Sequence, residues 1–244
     1  MDKLDQAKKN FEEGIKFFKK KDFNQAQIYF EKTLEVAPNS SPTMENLSKS
    51  YLETGDYDKA EKILKYFISL NKEDDQIAYK LLYEIYSILN KYDELRNLSK
   101  IAITKNKFDS AFNLKSRLFY PSFFNSTEEI NEVRKKFTNE VETMLDDMNL
   151  PALNLSKHLI KPPNFDLHFD GVDNLEINKK LVKLYKKIYP ELSDFSIFSG
   201  QKNKKIKIGF ISQFFTDHSI MKIYKGIIYK LNKDIFDVFV FHSD

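Results

Sequence analysis

The sequence predicts a mostly α-helical protein in which stacked helical hairpins are followed by further helices and, at the end, a short β-α-β unit. Three observations support this fold class. A block of 34 residues recurs in the first half, apolar residues recur every three to four positions up to residue 190, and apolar residues alternate after residue 205. A spacing of three to four residues lines one face of a helix, whereas alternation is typical of a strand.

Composition places the chain among ordinary globular proteins. Of its 244 residues, 41% are hydrophobic and 31% are charged, so the chain can bury a sizeable core. The net charge is only +3, and the arginines are limited to Arg96, Arg117 and Arg134. Because arginine supplies the bidentate contacts that recognise phosphate and guanine, we do not expect a nucleic acid partner.

Residue types also argue against metal sites, cofactor sites and membrane association. The chain has no cysteine, which excludes disulfides and thiolate zinc sites, and its four histidines show no ligand spacing: His158, His168, His218 and His242. The first two lie in a loop-rich stretch and are expected to be partly exposed turn residues. Neither a signal peptide core nor a bilayer-spanning apolar run is present, so we expect a cytoplasmic protein without a membrane partner.

The recurring block is the clearest pattern in the first half. Four positions recur after 34 residues with side chains of similar character: Phe17 and Tyr51, Phe23 and Tyr57, Ala26 and Ala60, Phe30 and Leu64. The alanines mark the place where the two helices of a hairpin approach closely. A third, degenerate copy places Tyr92 35 residues after Tyr57, and Leu95 replaces the alanine. Residues 7–108 are therefore predicted to form a solenoid of about three hairpins.

These positions resemble the tetratricopeptide repeat, whose period is also 34 residues. The residues that carry the resemblance are Gly14, Phe17, Ala26, Phe30 and Pro38 in the first copy and Tyr51, Ala60 and Leu64 in the second. The resemblance implies that the concave face of the solenoid binds protein or peptide ligands. The alternative is that the repeats serve only as a spacer or a self-association surface, since no residue identifies a ligand.

Residues 109–192 are predicted to be helical without being repetitive, and to connect the repeats to a further domain. A long helix follows Ser126, which forms a capping box with Glu129. A second box, Asp173 with Glu176, begins another helix that ends at Pro190.

After a predicted linker at residues 193–205, the apolar period changes. Ile206, Ile208 and Phe210 alternate with Lys207 and Gly209, which predicts a strand. Helical spacing follows from residue 220, and a second apolar run lies at 236–241. Strand, helix and strand in this order form a right-handed parallel unit, about a third or less of a doubly wound sheet.

This last region resembles the opening of the catalytic region of tetratricopeptide-bearing O-linked N-acetylglucosaminyltransferases and their bacterial relatives. The distinctive part is the run from Gly209 to Ser212 followed by Asp217, His218 and Ser219, and the segments at 118–137 and 165–192 are also similar to bacterial members. The resemblance implies a GT-B-type enzyme with two Rossmann-like lobes, of which residues 205–244 are the start. Such enzymes transfer N-acetylglucosamine from UDP to Ser or Thr hydroxyls of proteins selected by the repeats.

The resemblance places a histidine of the active-site cleft at His218, the candidate catalytic residue. Independently of the family, the loop after a first parallel strand is where open α/β sheets bind ligands, so an imidazole there could orient a hydroxyl or a sugar phosphate. Spacing alone leaves an ordinary surface histidine as the alternative. Lys222 stands where some members carry a second histidine, so the sequence assigns it no role.

The sequence stops at Asp244, before any counterpart of the second lobe, which supplies most sugar-nucleotide contacts in this family. We therefore expect the N-terminal part of a protein O-glycosyltransferase that is inactive as this 244-residue chain. No cofactor is expected, and a UDP-sugar donor only for a completed enzyme. The alternative is a non-catalytic repeat adaptor with a vestigial α/β tail.

Overall fold

The computed structural model describes residues 3–193 and 205–242. The chain divides into two compact units, Met1–Asp194 and Phe195–Asp244, and the predicted linker lies almost entirely outside the described residues. The helices of the first unit are α1 (Lys3–Lys19), α2 (Phe23–Val36), α3 (Ser41–Thr54), α4 (Tyr57–Ser69), α5 (Gln76–Ile88), α6 (Tyr92–Thr104), α7 (Ser110–Arg117), α8 (Thr127–Asp146), α9 (Asn164–Leu167) and α10 (Leu175–Ile188). Within the described ranges, no helix combines the length and the apolar character that crossing a bilayer requires.

Helices α1 to α6 form three hairpins in which each helix packs against the next, and the first helices also contact one another. The three hairpin turns share one backbone conformation. A left-handed residue recurs after 34 and then 35 residues: Lys21 (φ 60°), Gly55 (φ 77°) and Asn90 (φ 55°). In each turn the following N–H donates to a carbonyl five residues earlier: Asp22 to Phe17 (3.0 Å), Asp56 to Tyr51 (2.9 Å) and Lys91 to Tyr86 (2.9 Å). This Schellman arrangement ends a helix, and the degenerate third copy keeps it.

Small residues allow the helices of the first hairpins to approach closely. Ala26 and Ala60 are fully buried, and a Cβ added to Gly14 would lie only 2.5 Å from the Phe30 ring. Leu95 is fully buried as well, so the third hairpin accommodates a larger side chain at the same repeat position.

Side-chain volume shifts between two repeat positions from one hairpin to the next. The pairs at the corresponding positions, spaced by 34 and then 35 residues, are Gly14 and Phe30, Ser48 and Leu64, and Tyr83 and Ser99. From the first hairpin to the third, the first residue of the pair becomes larger and the second becomes smaller. The summed side-chain volume of the pair therefore changes less than the volume of either residue. Cores tolerate such exchanges when total volume is kept, which explains why a copy with altered residues still packs as a repeat.

The remaining helices of the first unit enclose a second core, in which Phe137 and Val141 of α8 pack with Leu181 and Leu184 of α10. One half of the predicted capping box of α8 forms, and the other half uses a different backbone N–H. The Ser126 Oγ accepts from the Glu129 N–H (3.2 Å), but the Glu129 carboxylate accepts from the N–H of Asn125 (2.6 Å).

The predicted second capping box, Asp173 with Glu176, forms only in part: α10 has Asn174 at its N-cap position, but the Asp173 carboxylate accepts from the N–H of Leu175 (3.0 Å). Arg134 donates to the carbonyl of Asp173 (2.7 Å), and the Asn174 Nδ2 donates to the carbonyl of Leu167 (2.9 Å). Together with the Asp173 cap, these bonds to α8 and α9 position the chain where it enters α10.

Ion pairs connect the third hairpin to the helices that follow. Glu140 of α8 lies 2.8 Å from the Arg96 guanidinium of α6 and 2.5 Å from that of Arg117 in α7. The third arginine, Arg134, pairs with the buried carboxylate of Asp170 at 2.6 Å. All three arginines of the chain are therefore engaged in contacts within the first unit.

The second unit contains β1 (Ile206–Ile211), α11 (Ser219–Lys230) and β2 (Phe236–Phe241). The strands pair in parallel, with Ile206 opposite Phe236 and Ile211 opposite Phe241. The predicted fold class, mostly helical with hairpin repeats and a small parallel sheet at the end, is confirmed at this level.

Candidate functional site

One candidate site is the layer formed by the first helices of the hairpins, α1, α3 and α5. Helix α3 contacts both α1 and α5, so the three helices share a surface. Charged side chains lie at helical spacing on its partly or fully exposed positions: Glu45, Lys49 and Glu53 on α3, and Lys80 and Glu84 on α5. We call this surface the first-helix face. It presents both signs of charge to a ligand.

The end of the first-helix face near α7 is fixed by a network around Lys80. The Lys80 Nζ donates to the Asp109 carboxylate (2.8 Å) and lies 5.2 Å from the centre of the Phe112 ring. Asp109 also accepts from the N–H of Phe112 (2.8 Å), which caps α7. The hydrogen bond from Lys80 holds the pKa of Asp109 below its ordinary value of 3.8, so the carboxylate stays charged at neutral pH.

The second candidate site is the loop between β1 and α11, which carries His218. His218 is the N-cap of α11, and its Nδ1 accepts from the N–H of Ile220 at 3.2 Å. The imidazole stacks on the Phe214 ring, with centroids 4.6 Å apart and planes inclined by 26°. The half-buried ring is thus held by one hydrogen bond and one aromatic contact.

These contacts define what the imidazole can do chemically. Because Nδ1 accepts a hydrogen bond from a backbone N–H, a neutral His218 carries its proton on Nε2. The Nε2–H of the neutral ring is then a hydrogen-bond donor.

The sequence identified His218 but not Phe214 as its support; the available signal was an aromatic residue four positions earlier in the same loop. Lys222 pairs with Asp217 (3.2 Å), with both side chains largely exposed.

The other histidines singled out by sequence do not join either site. His158 and His168 are exposed; His158 lies in a loop, whereas His168 begins a short 3-10 helix, His168–Asp170, and is therefore not the predicted turn residue. Among the residues that the structure describes, no group of three or more histidine and acidic side chains could hold a metal ion.

Comparisons with known proteins address the repeats. The tetratricopeptide repeat family model matches residues 17–67, from the end of α1 through most of α4. A search of curated proteins found no match to the chain. The tetratricopeptide character predicted from the 34-residue spacing is confirmed, and repeats of this kind generally serve to bind protein partners.

Proposed function

We propose that the first-helix face binds protein segments, and that the chain is the N-terminal part of a protein O-glycosyltransferase acting on them. The first-helix face corresponds to the concave, ligand-binding face of tetratricopeptide solenoids, and this correspondence carries the binding half of the proposal. The catalytic half is supported by the parallel β-α-β unit and by the position of His218 at the carboxyl end of β1, where α/β sheets bind ligands.

In this proposal His218 acts through its Nε2–H. The imidazole donates a hydrogen bond to an oxygen of the sugar phosphate or of the acceptor hydroxyl and so holds it in line for transfer. The Phe214 stack and the cap to Ile220 limit rotation of the ring. A UDP-sugar is a substrate in this scheme, and a two-stranded sheet cannot enclose it, since ligand clefts bury most of their ligand between facing walls.

The binding half is tested with an array of Ser- and Thr-containing peptides. Reversing the charge of Lys49 should change which peptides are retained, because rim charges select partners by complementarity. The matched control is Lys179→Glu on α10, whose side chain is also exposed. Identical peptide profiles for wild type and Lys49→Glu would count against binding on this face.

The catalytic half is tested on a longer protein that includes the second lobe. His218→Asn keeps a side chain able to cap α11 but removes the imidazole, so transfer from UDP-N-acetylglucosamine to acceptor protein should fall while the melting temperature stays the same. His218→Ala should lower both. Equal transfer rates in wild type and His218→Asn would show that His218 is an ordinary surface residue without a role in transfer.

A second candidate function is a non-catalytic adaptor, which the restriction of the family match to the repeats favours. The two candidates differ in the coding sequence that follows codon 244 and in whether a longer protein binds nucleotide. For either candidate, calorimetry on the 244-residue chain should detect no binding of UDP. The glycosyltransferase proposal additionally requires a second Rossmann-like lobe downstream, and a longer protein that binds UDP.

A further inference from the structure

An open pocket lined by aromatic side chains lies in the first unit, formed by residues that neither candidate site uses. Its volume is about 490 Å³, and four phenylalanines contribute to its lining: Phe123, Phe124, Phe165 and Phe169. Three of them are strongly exposed, with 77% of Phe123, 75% of Phe165 and 64% of Phe169 accessible to solvent. We call this site the aromatic pocket. Exposed apolar clusters of this kind usually mark interaction sites.

Hydrogen bonds hold the two segments that form the aromatic pocket. The Ser122 Oγ donates to the Asp166 carboxylate (2.7 Å), which ties the segment after α7 to α9. Asn90 receives a hydrogen bond from the Ser122 N–H (3.2 Å) and donates one to the Phe123 carbonyl. The rings of Phe165 and Phe169 meet edge to face, 5.1 Å apart and inclined by 72°. The exposed rings are therefore positioned before any ligand arrives, which lowers the entropic cost of binding.

A second set of hydrogen bonds holds Asp170, the residue after Phe169 of the pocket. The buried Asp170 carboxylate accepts from the Tyr120 hydroxyl (2.8 Å) and from the Arg134 guanidinium (2.6 Å). Its other oxygen accepts from the N–H of Val172 (2.9 Å). Because burial and the hydrogen bond to Asp170 both raise the pKa of Tyr120, its hydroxyl stays protonated and continues to donate.

The two segments that form the aromatic pocket are acidic, although the chain as a whole is basic. Segments 118–134 and 162–174 contain one basic residue, Arg134, and six acidic ones: Glu128, Glu129, Glu132, Asp166, Asp170 and Asp173. Arg134 neutralises Asp170, and Lys136 pairs with Glu132. The other four carboxylates have no salt-bridge partner within the described residues. Asp166 itself lines the pocket, while the net charge of the chain is +3.

We propose that the aromatic pocket is a docking site for a protein segment in which a large apolar side chain is flanked by lysine or arginine. The apolar side chain fills the space between the phenylalanine rings, and the basic residues face the acidic surround. Buried anchors of this kind carry most of the energy of an interface, whereas the surrounding charges set partner choice and association rate. The site is independent of the first-helix face and of His218, with which it shares no residue.

Fluorescence polarisation with three designed peptides tests this proposal on the full chain. The probe is fluorescein-labelled Gly-Ser-Lys-Lys-Leu-Phe-Lys-Lys-Gly-Ser amide. One comparison peptide replaces the four lysines by glutamate, and the other replaces Leu-Phe by Ala-Ala. We expect the probe to bind at least tenfold more tightly than either comparison peptide, and its affinity to fall as salt concentration rises, because surface charges are screened.

Variants of the chain locate the binding. Phe165→Ala and Phe123→Ala should each weaken the probe at least tenfold without changing the melting temperature, because the side chains are exposed. Met148→Ala is the matched control: its side chain is 94% exposed and lies outside the pocket.

Three results would overturn the proposal. The first is equal binding of the probe to wild type and to both phenylalanine variants, which would indicate general attraction to acidic surface. The second is absence of binding at millimolar protein. The third is that the wild type sediments as a dimer and Phe165→Ala as a monomer. The occupant of the pocket would then be a second copy of the chain.

Discussion

Lys21 adopts a left-handed backbone conformation, with φ of 60°, at the turn position that glycine occupies in the second hairpin. A side chain with a Cβ is strained in this region, and glycine is not. Lys21→Gly should therefore raise the free energy of unfolding by about 0.5–1 kcal/mol, and Gly55→Lys should lower it by about 1 kcal/mol. Urea denaturation of both variants measures the two changes. Shifts of the same sign would show that the turns are not equivalent.

Glu140 makes the stability of the first unit depend on pH. Burial raises the pKa of Glu140, but the hydrogen bonds from Arg117 and Arg96 outweigh it and bring the pKa below the ordinary 4.5. A carboxyl with a lowered folded pKa contributes stability above its unfolded pKa and loses it as the pH falls through the folded value.

Glu140→Gln should thus cost about 1.5–3 kcal/mol at neutral pH. The difference from wild type should shrink as the pH drops below the ordinary value of 4.5. Denaturation at several pH values measures this difference. Glu132→Gln, an exposed position, is the control and should change stability by less than about 0.5 kcal/mol. A constant difference between Glu140→Gln and wild type down to strongly acidic pH would contradict the assignment.

At the scale of the elements, the same repeat position tolerates different residues in different hairpins. Ala60→Leu should overpack the second hairpin and cost about 1–3 kcal/mol, whereas Leu95 in the third hairpin is already matched by its surroundings.

 Leu95→Ala should leave a cavity and cost about 2–5 kcal/mol. Thermal denaturation measures both. An unchanged melting temperature for Ala60→Leu would count heavily against close helix contact at Ala60.

The elements also show which parts of the fold could be predicted from the sequence. The hairpins were predictable because their spacing recurs, and even the third copy keeps the turn at Asn90. The start of α10 was predictable only in part: Asp173 caps its first turn as predicted, but Asn174 stands at the N-cap position, where it bonds Leu167 instead of Glu176. His218 is a candidate because a local motif carries it, whereas the aromatic pocket joins Ser122 to Asp166 across 44 residues and has no local pattern.

At the scale of the whole molecule, the two units differ in how well their apolar residues are covered. In the described part of the second unit, Ile228 is the buried hydrophobic residue, while Ile211 is 81% and Ile223 is 70% exposed. Amide hydrogens of β1 and β2 should therefore exchange faster than those of α3, because little packing opposes local opening. Hydrogen exchange with mass spectrometry measures this, and equal protection of the strands and α3 would contradict it.

The use of arginine at the joint between α6, α7 and α8 has a chemical consequence. Arg96 and Arg117 hold Glu140 there, whereas Lys49 and Lys80 supply positive charge on the first-helix face. Acetylation removes the charge of lysine and does not act on the guanidinium of arginine. Acetylation of Lys49 would therefore neutralise positive charge on the first-helix face and leave the Arg96–Glu140 and Arg117–Glu140 pairs intact, so ligand binding would change while these two ion pairs of the joint remain.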